Sequence, residues 1–279
     1  MNKSILKKLP ALLAILVMAG GVQTFTSCSS DDEGGGDGSS SSGGGSPSSS
    51  SLQTQGGGSS SSAVQCLDAD SGTFTDDRDN KEYRYVTICS QTWMAENLNY
   101  DVEGSRCYDD LDSNCDIYGR LYDWIMVMGF DASCRESDRC TINRPHQGAC
   151  PSGWHIPSDG EWVVLYDYAG GQATAGTKLK ATSGWNDYKE KSGNGTDDYG
   201  FSALPGGSGN WSTLVGGSFF RNIGEEGYWQ STLTRGDGRT IWVQGMFYNV
   251  EDAGAVSKYK SLLMSVRCVK DQKTETEEI

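Results

Sequence analysis

Histidine is scarce in this chain, with two in 279 residues, and no two cysteines stand in C-x-x-C spacing. A structural zinc site needs four Cys or His ligands at such spacings, so the nine cysteines are not read as metal ligands. Two histidines also leave few candidates for general-base chemistry. A glycine-rich phosphate loop, a G-x-S-x-G nucleophile motif and a carboxylate pair at a recognisable spacing are all missing. No enzymatic activity and no cofactor are therefore expected. Positive charge is short as well: 23 Lys plus Arg face 37 Asp plus Glu, for a formal net charge of −14. That balance argues against nucleic acid and anionic lipid headgroups as partners. Nor does any apolar run reach the ~18 residues that a membrane-spanning helix requires.

The apolar run that is present, LPALLAILVMAGGV from Leu9 to Val22, follows Lys3, Lys7 and Lys8. Basic residues ahead of a short apolar core describe an export signal over residues 1–27. FTSC then ends at Cys28. A cysteine there resembles a bacterial lipoprotein site, whose acylated thiol becomes the mature N-terminus and holds the protein on a bilayer. Loss of the three lysines makes the mature form still more acidic. SSDDE, directly after Cys28, resembles the surface-export signal of Bacteroidetes-type lipoproteins. Residues 28–62 continue as a Gly/Ser-rich tether that cannot bury enough surface to fold. Its Gly38–Ser62 part has a coil dimension of roughly 25–30 Å. Residues 63–271 are one domain's worth of chain, and 272–279 form a polar tail.

With Cys28 set aside, eight cysteines remain: Cys66, Cys89, Cys107, Cys115, Cys134, Cys140, Cys150 and Cys268. An even set in an exported chain reads as four disulfides. CYDDLDSNC and CRESDRC each suggest a closed loop, Cys107–Cys115 and Cys134–Cys140. Cys66 and Cys89 flank an early strand pair. Cys150 with Cys268 would then tie the middle of the domain to its last strand.

KEYRYVTIC reads as a strand and QTWMAENLNY as a second extended piece. In DIYGRLYDWIMVMGF, Leu121, Trp124, Ile125 and Met128 stand at helical spacing, which predicts one helix with a buried face. YGFSALP, GYWQSTL, TIWVQGMFYN and LMSVRCVKD read as later strands separated by Gly-rich turns. In CPSGWHIPSDGEW, Ser158 and Glu161 have the S-x-x-E spacing of a capping box before WVVLYDYA. Pro157 presets the start of that helix, Asp159 suits its positive end, and Gly170-Gly171 ends it. His155 is read as structural, because a neighbouring Cys150 committed to a disulfide is no nucleophile. Two main helices and a mostly antiparallel, strand-rich C-terminal half make an α+β domain.

QTWMAENLNY, CYDDLDSNCDIYGRLYDW, CPSGWHIPSDGEW, AGTKLKATSGWND, GNGTDDYGFSALPGG, GYWQST and SVRCVKD, in that order, resemble the signature blocks of the Fibrobacter succinogenes major paralogous domain family. GWHIPSDGEW and SVRCV also resemble, more distantly, the C-type-lectin-like fold shared with formylglycine-generating-enzyme-like domains. The resemblance implies an exported or surface protein of bacteria that colonise plant fibre. It supplies no catalytic residues, and the oxidase chemistry of the distant relatives needs reactive cysteines that this chain does not offer. Lectin-like domains close by bringing their terminal segments side by side, so a Cys150–Cys268 bond would pin that closure.

What remains is surface. Trp93, Trp124, Trp154, Trp162, Trp229 and Trp242 lie inside the family blocks and are expected in the core. Trp185, Tyr188, Trp211, Phe219, Phe220 and Tyr248 fall in loops or at strand ends. Exposed aromatic faces stack on sugar rings, and neighbouring amides and carboxylates bind hydroxyls. In GNGTDDYG, Asn194, Asp197 and Asp198 are candidate oxygen ligands for Ca²⁺, against the plainer reading of an Asx-rich turn. The expectation is a lipid-anchored outer-membrane protein facing the cell exterior that binds plant-fibre polysaccharide. The alternative is an interaction or structural component of an outer-membrane or fibre-degrading assembly.

Overall fold

A computed structural model describes residue 66, residues 69–212 and residues 217–272. The chain begins with a hairpin of β1 (Ser71–Asp76) and β2 (Lys81–Ile88), in register from Ser71↔Val86 to Asp76↔Lys81. Asn80 closes the turn at φ +59°, a left-handed conformation that Asn tolerates better than most residues. β3 (Gln91–Met94) pairs antiparallel with β2. Two short strands complete this sheet, β4 (Trp154–His155) and β11 (Val269–Lys270), in the order β1-β2-β3-β11-β4. The last strand of the domain therefore lies between an early and a middle one.

Two three-stranded antiparallel sheets form the C-terminal half. One holds β5 (Ser208–Ser212) between β10 (Leu262–Leu263) and β6 (Gly217–Arg221). The other holds β8 (Thr240–Phe247) between β7 (Glu226–Thr234) and β9 (Ala253–Tyr259). With four α-helices among the described residues, the architecture is α+β and strand-rich.

The helix expected across residues 116–130 is two helices instead. α1 (Asp112–Tyr118) stops at Gly119, where φ is +72° and a Cβ would meet the Leu98 carbonyl at 2.7 Å. Leu121 then exchanges backbone hydrogen bonds with Arg106, so it is buried by bridging and not by helical packing. Asp123 accepts from the Met126 amide at 3.0 Å and starts α2 (Trp124–Met128) afresh. A glycine stop and an aspartate cap, both visible in the sequence, outweigh the apolar spacing. YGFSALP is not a strand either: Ser202 has φ +52°, and only Ala203 bridges, to Lys180.

α3 (Asp159–Tyr168) forms where the capping box predicts it, and buries Trp162, Leu165 and Tyr166. α4 (Gln172–Leu179) follows directly after Gly171. Trp93, Trp162, Trp229 and Phe201 pack into one core cluster, with Trp93–Trp162 centroids 4.7 Å apart. Trp124, Trp154, Met94, Val266 and the Cys150–Cys268 pair belong to another. Of the six tryptophans expected inside, only Trp242 is half-buried, beneath Arg235.

The four disulfides are Cys66–Cys89, Cys107–Cys115, Cys134–Cys140 and Cys150–Cys268. Cys107–Cys115 and Cys134–Cys140 are the local loops that the spacing suggested, and Cys66–Cys89 and Cys150–Cys268 are the pairs expected from the early strand pair and from closure of the domain. Between β10 and β11, Ser265 bonds to Tyr228 and Gln230, Val266 to Leu98, and Cys268 to Met94. The SVRC segment thus stitches the early sheet to the late one.

Candidate ligand-binding cleft

The stretch from Cys150 to Trp162 is a structural seam. Cys150 is bonded to Cys268, and β4 pairs with β11 through Trp154↔Lys270 and His155↔Val269. Glu161 Oε2 accepts from the Ser158 backbone and hydroxyl, each at 2.8 Å, while Ser158 Oγ accepts from the Glu161 amide at 3.3 Å. His155 lies between two carboxylates, with Nε2 2.7 Å from Glu161 and Nδ1 2.7 Å from Asp271. Burial alone would depress the His155 pKa, but the bonds and charges of Glu161 and then Asp271 outweigh it and raise the value. Burial would likewise raise Glu161, yet His155 and the Ser158 backbone bring it below its ordinary value. The cavity beside this cluster, of about 400 Å³, includes Arg144, His146 and Thr232. Neither ring nitrogen of His155 is free there to take a proton from a bound molecule, and the Ser158 hydroxyl is held by Glu161.

A larger cleft, of about 580 Å³, opens between the first sheet, α1 and the loops around α4. One wall is α1, fixed by the Cys107–Cys115 bond and by Asn97 Nδ2 donating to the Tyr118 carbonyl at 2.8 Å. It presents Asp116 and Ile117, the latter 58% exposed. The opposite wall is Ala181–Ser183 with Asp197 and Ser202, knitted by Gly195 N–H to Ala181 O and Ala181 N–H to Ala203 O, both 2.9 Å. A Cβ at Gly195 would sit 2.3 Å from the Lys180 carbonyl, so this approach requires glycine. The sheet side supplies Lys81, Glu82, Arg84 and Glu96.

Arg267 is fully buried in contact with this lining. Its guanidinium donates to Asn97 Oδ1 at 2.9 Å, to the Phe201 carbonyl and to the Ser202 carbonyl at 3.3 Å. It also stacks over Phe201, with its carbon 4.3 Å from the ring centroid. Burial pushes its pKa down to about 9, opposed by the charges of Asp197 and Glu96. At that value it remains a cation at neutral pH. Arg267 therefore fixes the position of Asn97 and of the 201–202 backbone from below.

The aromatic residues singled out in the sequence do not form one surface. Trp185 is a correction: it is 4% exposed, belongs to a core cluster, and donates its indole N–H to the Ala203 carbonyl at 2.9 Å. Its large ring is better satisfied inside, with Lys180 Nζ 5.2 Å from its centroid, than at a loop tip. Tyr188, 36% exposed, meets Tyr248 edge-on at 5.5 Å. Phe220 packs on Tyr108 at 5.1 Å, and Phe219 lies under Arg221. Trp211 is in β5, and its side chain lies outside the described residues. Cys28 and the tether lie outside them as well.

The loop proposed for Ca²⁺ is organised as a turn. Asn194 Oδ1 accepts from the Trp185 amide at 2.9 Å, and Asp197 accepts from the Ser202 amide at 2.7 Å and its hydroxyl at 2.6 Å. Asp198 is exposed, its amide bonded to the Lys178 carbonyl at 2.9 Å. The Asn194 oxygen and both Asp197 oxygens are thus committed to protein donors. Among the described residues, no three His, Cys, Asp or Glu side chains gather at ligating distance. Arg84, Glu96, Asp116, Thr182 and Arg267 were not picked out by the sequence reading. An arginine inside the apolar SVRCV strand was the one available signal.

Fold and site define a disulfide-stapled α+β domain with a polar cleft between its first sheet, α1 and the loops around α4. The chain matches the Fibrobacter succinogenes major domain family over residues 86–270 and belongs to that family. No curated protein and no solved structure matches it.

Proposed function

We propose that this protein is a lipid-anchored binding module of the outer membrane, facing the cell exterior, that captures an extracellular polysaccharide of plant fibre. The cleft carries this reading. It is built from five segments between residues 81 and 204, it falls within the ~300–1,000 Å³ range of small-molecule sites, and it mixes apolar Ile117 and Leu204 with amides, hydroxyls and carboxylates. Sugars ask for that mixture: apolar contact for the ring faces and planar hydrogen-bonding groups for the hydroxyls. The distant lectin-like resemblance is in keeping with it, by analogy of fold. The Cys28 acyl group would supply the anchor and the Gly/Ser tether the reach.

Retention of the full chain on cellulose, xylan or a glycan array, in detergent, tests the reading; failure on all of them overturns it. For the anchor, Cys28→Ser should release the protein from the membrane fraction and remove its acyl label. One observation favours the alternative of a protein partner. Among the described residues β9 pairs only with β8, and its last residue, Tyr259, is 62% exposed. Crosslinking on intact cells through Tyr259 would then give a protein adduct.

A further inference from the structure

The charges lining the cleft cancel unevenly. Arg84 Nε is 2.7 Å from Glu96 Oε1, a closed pair. Lys81 Nζ is 3.7 Å from Asp79 and also bonded to the Asn99 carbonyl. Asp197, whose charge acts on the buried Arg267, is bonded to Ser202. Glu82 and Asp116 remain: both line the cleft, both are exposed, and neither forms a salt bridge or side-chain hydrogen bond among the described residues. Each cationic side chain of the lining already has an anionic partner. An entering molecule thus meets two uncompensated carboxylates, which accept hydrogen bonds and donate none.

We infer that the cleft selects its glycan by charge, taking sugar chains free of acidic groups and excluding uronic-acid chains. This rests on the polysaccharide reading of the same site. Hydroxyl or ammonium donors satisfy Glu82 and Asp116, whereas a uronate carboxylate brings like charge against them with no free cation to offset it. The net charge of −14 adds repulsion of the same sign at longer range.

The test is a titration of the full chain in detergent with oligosaccharides of equal length: β-1,4-glucan, xylan, β-1,4-linked glucosamine and galacturonan. The glucan, xylan or glucosamine chain should bind, and galacturonan should bind at least about tenfold more weakly, a factor worth ~1.4 kcal/mol. Galacturonan binding within that factor of the best of the others overturns the charge selection while leaving the polysaccharide reading intact. Binding of none of the four overturns the polysaccharide reading and this inference with it. The E82K/D116K variant changes two exposed side chains and should fold. It should shift the ratio of galacturonan to glucan affinity by at least about tenfold in favour of galacturonan, a gain read within the same variant. No gain in that variant also overturns the inference.

Discussion

His155 and Glu161 meet at 2.7 Å, and the other oxygen of Glu161 holds the backbone that starts α3. One carboxylate therefore serves both the capping box and the imidazole. Because His155 is raised above its ordinary 6.5, its contribution is fully present below that pH and is lost as pH climbs through the raised value. Because Glu161 is lowered from 4.5, its contribution is fully present above that pH and is lost as pH falls through the lowered value. The cluster should stabilise the domain most between those two ordinary values. Urea unfolding followed against pH should show the alkaline decline in the wild type and a flatter limb in His155→Gln. An unchanged limb would remove the cluster as its cause.

Cys150–Cys268 encloses a sequence separation of 118, against 6 for Cys134–Cys140. The chain-entropy relation assigns about 5 kcal/mol to the first and about 2 kcal/mol to the second. Replacing both cysteines of the long-range pair by serine should therefore lower the unfolding free energy more than the same change at the short loop. Non-reducing peptide mapping should recover the Cys150 and Cys268 peptides joined.

Trp185 and Tyr188 stand three residues apart and should answer differently to truncation. Trp185→Ala empties a core position and should cost about 3–5 kcal/mol of stability. Tyr188→Ala forfeits an edge-on contact with Tyr248, worth about 0.5–1.5 kcal/mol. Thermal melts of the two variants decide whether the loop tryptophan belongs to the core.

Arg267→Lys keeps the charge but not the planar fork that reaches Asn97, Phe201 and Ser202 together. Leaving those acceptors short of donors should destabilise the domain by about 1–3 kcal/mol. Ligand affinity of the cleft should fall with it, because the 201–202 backbone loses its support.

Local rules were readable in the sequence. Ser158 and Glu161 specify their helix start through a spacing of three, and the short Cys loops specify their own partners. Strand β8 is spelled by its β-branched and aromatic run. The failures come where a local signal competes with another or with tertiary packing. Leu121, Trp124, Ile125 and Met128 have helical spacing, but Gly119 and Asp123 cut the segment in two. Trp185 follows Gly184 and precedes Asn186 and Asp187, a loop composition, and is nevertheless buried because Ala203 offers its indole N–H an acceptor. The cleft was not legible at all. Glu82, Glu96, Asp116, Thr182 and Asp197 come together only through strand pairing and loop docking between distant segments, which no periodicity encodes.

The placing of β11 between β3 and β4 has a consequence for how the domain comes into being. A chain that emerges amino-terminus first, from a ribosome or through an export channel, can pair β1, β2 and β3 early. It cannot close that sheet until Val269 and Lys270 have appeared, almost at the end of the described chain. Throughout that interval Cys150 waits as a lone thiol while Cys134 and Cys140, already synthesised, lie close by in sequence. Oxidation before the carboxyl-terminal strand arrives would invite the wrong partner. Maturation of this domain should therefore depend on thiol–disulfide exchange, and a cell lacking disulfide isomerase activity should accumulate mispaired protein.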